Sequence, residues 1–158
     1  MTNSFKFSPI NIWIVLLLLL PNILFMLFPP ADIPTDQIRP KGWAVVLIME
    51  RIGQIGVFVL PLFLSFKMDT PLQKYALAAM TVFILLYYVC WVRYFMGGRA
   101  FSLLYQKLLF VPIPMAVFPV LYCLAASIIL NSWVYTSAAM LLAIGHISES
   151  FYIAHTIA

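Results

Sequence analysis

The sequence predicts an all-α fold: a polytopic transmembrane helical bundle of about five spans with one short interfacial helix. Three observations lead there. Hydrophobic residues make up 65% of 158 and charged residues 9%, whereas soluble domains carry about 25% charge and could not cover so much apolar surface. Apolar runs recur along the whole chain, each near the ~20 residues that a helix needs to cross a bilayer. Aromatic residues gather where runs end, at Trp43 and from Tyr87 to Tyr94, as they do at membrane interfaces. The mean hydropathy of +1.04 agrees. A chain of this length forms one domain.

The elements follow in order. Lys6 lies in a polar start, and residues 10–28 form a first span interrupted by Pro21-Asn22. The apolar run continues past Pro21 without a small-x-small cleavage site, so it reads as a retained, kinked helix and not a leader. Four prolines, two aspartates, Arg39 and Lys41 make residues 29–42 a loop. Residues 43–66 are the second span, with Pro61 as a bend, and 74–95 the third, ended by Gly97-Gly98. The stretch 99–110 is too short to cross. Arg99, Ser102 and Gln106 share one side of it, which predicts a helix lying in the interface. Residues 111–130 form a fourth span whose Pro112, Pro114 and Pro119 would also suit a re-entrant segment. Asn131-Ser132 allows only a hairpin before the fifth span, 133–155.

Nine basic and five acidic residues give a formal charge of +4. In a membrane protein that excess reads as topology and contact with anionic lipid, so no nucleic-acid partner is expected. Lys6, Lys67 and Lys74 fall on one side; Arg39, Lys41, Arg99 and Lys107, with Arg93 close by, fall on the other. The larger set places the N-terminus outside and the C-terminus in the cytoplasm. Cys90 and Cys123 lie within apolar runs as small buried hydrophobes, and no bridge between them is expected.

The second span holds Glu50, Arg51 and Gln54 inside an apolar run. A charged side chain at that depth costs at least ~2.5 kcal/mol by insertion scales. Adjacent on a helix, Glu50 and Arg51 point roughly 100° apart and pair poorly, so each needs a partner elsewhere. A rise of about 1.5 Å per residue puts both roughly 11 Å below the surface that holds the 29–42 loop. The same arithmetic brings His146 and Glu149 of the fifth span, Asn22 of the first and Arg93 of the third into that leaflet. Glu50 with Arg93 and Arg51 with Glu149 are the expected cross-helix ion pairs, and an exchange of partners is nearly as good. Tyr87, Tyr94 and Tyr152 are placed to donate to the carboxylates.

Such pairs could merely fix the register of the bundle. However, His146, Gln54, Asn22, Ser148 and Ser150 add more hydrogen-bonding capacity than two ion pairs require. The expectation is therefore a polar pocket in one leaflet, lined by Glu50, Arg51, Gln54, Arg93, His146 and Glu149, with Asn22, Tyr87, Tyr94 and Tyr152 behind them. Two arginines suit an anionic group, so the expected ligand is small and polar, anionic or amphipathic. A carrier would need a homodimer, since one such protomer is thin for alternating access.

Other chemistry is weaker. His146 and Glu149 have a helical metal spacing and Glu50 could be a third ligand, yet the arginines would repel a cation, so no metal is expected. Ser150 shares a helix with His146 and lacks the two-element geometry of a nucleophilic dyad. Cys123 and Ser127 read as helix packing, His155 as interfacial, and Gly53-x-x-Gly56 as close packing or a cavity wall. Gly97-Gly98 is a turn; no phosphate-cradling loop and no cofactor are implied. Two other classes compete with binding or transport. One is an intramembrane enzyme acting on a lipid-like substrate, with His146 or Glu149 as acid, base or metal ligand. The other is a non-catalytic partner subunit in which the polar cluster is structural.

Overall fold

The computed structural model describes residues 7–30, 32–33 and 39–157. Lys6 and much of the 29–42 loop lie outside the described residues. Among the described residues there are five α-helices: α1 (Ile12–Leu27), α2 (Ala44–Val59), α3 (Pro71–Met96), α4 (Pro114–Leu130) and α5 (Trp133–Thr156). Three 3-10 turns, Pro9–Asn11, Leu60–Phe63 and Phe101–Leu104, extend or connect them. Four segments are long and apolar enough to cross a membrane: Pro9–Leu27, Ala44–Phe63, Pro71–Met96 and Trp133–Thr156. The protein is therefore an all-helical membrane protein.

α4 is shorter than the expected fourth span. Its 17 residues reach about 25 Å. Residues 108–111 are spent on a tight turn, in which Leu108 and Val111 exchange backbone hydrogen bonds of 3.1 and 3.0 Å. Ile113 then sits at φ 44°, in the left-handed region, immediately before Pro114 opens α4. α4 is also sheathed by protein: Ala116, Phe118, Tyr122, Cys123, Ala126 and Ile129 are all buried. A short helix is tolerable at membrane depth when neighbouring helices cover its ends. The helical part of 99–110 is only the turn Phe101–Leu104. Arg99 and Leu109 adopt positive φ on either side of it, and Phe101 is buried, its N–H donating to Asp32 Oδ1 over 2.7 Å.

Prolines explain several long-range bonds. Pro21 lacks an N–H, which leaves the Leu17 carbonyl without its helical donor; the Tyr88 hydroxyl donates to it over 3.0 Å. Beyond Val59, the chain tightens at Pro61 into the 3-10 turn. The buried Asn11 amide donates to the carbonyls of Pro61 and Leu64, at 2.8 and 2.6 Å. These bonds dock α1 on α3 and on the end of α2. At the start of α3, Thr70 and Gln73 form a capping box with Pro71 in the first turn, and Ser132 caps α5 by accepting from the Tyr135 N–H.

Two antiparallel pairs form the bundle. α2 lies along α5, α3 lies along α4, and α4 joins α5 to close the core, with α1 outside against α3. Tyr94, Tyr122, Tyr135, Ile129 and Cys123 are fully enclosed. Cys90 and Cys123 are buried and unbridged.

Candidate functional site

The α2–α5 contact sets the height of the polar residues. A Cβ on Gly53 would fall on the Leu142 backbone, one on Gly56 on the Ala138 side chain, and one on Gly145 on Glu50. Gly53-x-x-Gly56 is thus close packing, continued on α5 by Gly145. With the two backbones so near, the side chains beside the glycines meet across the seam. Glu50 reaches His146, with Oε1 2.8 Å from Nδ1. One turn further on, Glu149 engages both of its oxygens: Arg39 donates to Oε1 through Nε at 2.9 Å and Nη2 at 2.7 Å, and the Trp43 indole N–H donates to Oε2. The Trp43 ring packs on Tyr152, centroids 4.9 Å apart.

The expected ion pairs are therefore replaced by others. Glu50 pairs with His146, not Arg93, and Glu149 pairs with Arg39, not Arg51. Arg93 turns instead to the loop after α3 and donates to the carbonyls of Lys107 at 3.0 Å and Gln106 at 2.7 Å. Arg51 points outward from α2 and donates to Gln54 of its own helix. The tyrosines also differ from expectation. Tyr94 donates to the Phe28 carbonyl at 3.3 Å, and Tyr87 accepts from Asn22 Nδ2 at 3.2 Å. Arg39 is the site cation, and its bond with the Glu149 carboxylate raises its pKa above the ordinary value.

Beneath His146 is a cavity of about 160 Å³, polar at Asn22, Tyr87, Tyr105, His146 and Ser150 and walled by rings that include Trp91. A deeper lobe of about 50 Å³ shares Asn22, Tyr87 and His146 and reaches Gln54 and Cys123. Of the expected lining residues Gln54 and His146 are present, whereas Glu50, Arg51, Arg93 and Glu149 line neither part. Burial pushes the Tyr105 hydroxyl up to about 12, so it stays neutral and able to donate. A neutral imidazole that donates from Nδ1 to Glu50 keeps Nε2 as an acceptor. The cavity thus offers amide, hydroxyl and imidazole groups against aromatic walls. A larger groove of about 570 Å³ opens at the opposite end of the bundle, between the starts of α3 and α5. Its Thr70, Gln73 and Ser132 are already occupied as helix caps, so it is secondary to the cavity beside His146.

Among the described residues, no three His, Cys, Asp or Glu side chains gather where they could hold a metal. The structure brings Glu50 to His146, with Asn22 and Tyr87 lining the same cavity as His146, and holds Glu149 separately with Arg39 and Trp43, leaving Arg51 and Arg93 outside. Arg39, Trp43 and Tyr105 enter unexpectedly. Arg39 and Tyr105 come from irregular segments without a period to place them, whereas Trp43 had the right depth to be found. No protein-family model, curated protein or solved structure matches the chain.

Proposed function

We propose that this membrane protein binds a small, uncharged amphipathic molecule in the cavity beside His146. The observation that supports this most is the convergence of Asn22, Tyr87, Tyr105, His146 and Ser150 on one space of about 160 Å³. A cavity of ~150 Å³ is enough for one aromatic ring. Its polar groups match a hydroxyl, carbonyl or amide on that ring. An anionic group is disfavoured, since Arg51 and Arg93 lie elsewhere and Arg39 is bound to Glu149. Transport would be a further step, requiring the cavity to open to both sides. The distribution of cations favours an outer N-terminus and a cytoplasmic C-terminus.

A second reading draws on a different observation: both site carboxylates are satisfied within one protomer. That is the arrangement expected of a non-catalytic partner subunit, where the cluster only holds α2, α5 and the 39–43 segment together.

A thermal-shift screen of the purified protein separates the two. Uncharged ring-sized amphiphiles are compared with their anionic counterparts, and hits are repeated on Ala116→Ile, which narrows the cavity. The binding reading expects an uncharged compound to raise Tm in the parent protein and to lose that effect in Ala116→Ile. Stabilisation that survives the substitution undiminished, or comes only from anions, removes the cavity as the site. A panel without any stabilising compound favours the partner subunit.

A further inference from the structure

α2 turns a face outward that lipid alone does not satisfy. Val45, Ile48, Arg51, Ile52, Ile55 and Val59 recur at helical spacing along it, and all are exposed. α2 is also the least enclosed of the four long spans, with 17% of its most apolar stretch buried. The isoleucines suit hydrocarbon. Arg51 does not, because ionisable residues within spans almost always face a bundle interior or a wet cavity. Its depth is roughly 12 Å below Trp43.

Two features bear on what covers it. Side chains on a helix lean towards its N-terminus, which for α2 is the nearer membrane surface. In the structure Arg51 Nη1 donates to Gln54 Oε1 at 3.2 Å, one turn deeper. The second feature is the chain's own stock of carboxylates. Glu50 is held by His146, Glu149 by Arg39 and Trp43, and Asp32 by the Phe101 N–H. Asp69 lies at the opposite surface, beside the start of α3, and Asp36 belongs to the polar loop outside the described residues. Among the described residues a second copy would therefore bring no available carboxylate to this depth, and in a symmetric pair Arg51 would oppose Arg51.

We propose that the Arg51 face of α2 docks a transmembrane helix of a different protein, one carrying an aspartate or glutamate at the matching depth. The carboxylate would neutralise the guanidinium, with Ile48 and Ile55 packing on either side. Opposite charges in hydrocarbon choose partners strongly, because the alternative for each is an unpaired charge. This inference is independent of the cavity and its ligand.

The test uses the full chain in phosphatidylcholine bilayers and a leucine-rich transmembrane peptide bearing one glutamate about 12 Å below its end. Association is read by energy transfer, against a peptide with leucine at that position. The expected result is an affinity about tenfold or more higher for the glutamate peptide. Arg51→Leu abolishes that preference, Arg51→Lys keeps it, and Arg51→Glu transfers it to a lysine peptide. Arg51→Lys retains the charge, so it also guards against a general failure to fold. Equal association of the two peptides with the parent protein overturns the proposal, as does a preference that survives Arg51→Leu. Two further outcomes overturn it in favour of another occupant. Arg51-dependent enrichment of phosphatidylglycerol without peptide preference would assign the face to lipid phosphate. Arg51-dependent energy transfer between two labelled copies would assign it to self-association.

Discussion

The α2–α5 and α3–α4 contacts are both antiparallel helix pairs, yet they are closed by opposite means. α2 and α5 meet at glycines, with Gly53, Gly56 and Gly145 letting the backbones approach until a single Cβ would collide. α3 and α4 meet without glycines and bring large side chains to the core, among them Met80, Ile84, Trp91, Phe118, Tyr122 and Ile129. Lipid tails are as apolar as the core, so helix association in a bilayer depends on packing and interhelical hydrogen bonds. The glycine contact has no slack in it, and this rigidity fixes Glu50 against His146. The filled contact can absorb small changes, and the cavity lies along its edge.

The largest effect is expected at the glycines. Gly53→Leu must push α2 off the Leu142 backbone, and a destabilisation of about 3 kcal/mol or more is expected, given that overpacking of side chains alone costs ~1–3. Thermal unfolding in detergent checks it; a Tm within a degree or two of the parent would show that α2 is not clamped to α5. Glu149→Ala should come next, at about 1–2 kcal/mol. It removes the acceptor for Arg39 and Trp43, but Arg39 keeps access to water, which limits the loss. Ile129→Val in α4 should cost least, about 0.5–1.5 kcal/mol, the usual range for one buried methylene. A larger loss from Ile129→Val than from Gly53→Leu would invert the account of the two contacts.

How much of this was legible in the sequence differs by coordinate. Depth was readable because it depends only on helix rise, so Glu50, His146, Glu149 and Asn22 fell into one leaflet by arithmetic. Azimuth was not. Glu50 and Arg51 share a depth, and only the glycine contact decides that Glu50 faces α5 and Arg51 faces outward. Partner choice was hidden too, since Arg39 lies in a loop where no period predicts its position. Arg93 found backbone carbonyls of Gln106 and Lys107 close at hand, and a local acceptor wins over a distant carboxylate. The amphipathic spacing in 99–110 promised a helix, but residues at positive φ and the buried Phe101 convert it to a turned connection.

The glycine contact delivers Glu50 to His146 inside the bundle. Magic-angle-spinning NMR of labelled protein in lipid bilayers measures it directly, through the dipolar coupling between His146 Nδ1 and the Glu50 carboxyl carbon. A hydrogen-bonded pair places these nuclei within about 4 Å, and a strong coupling is the predicted result. A His146 Nδ1 that shows no such coupling, while the labelled protein remains folded, would contradict the account.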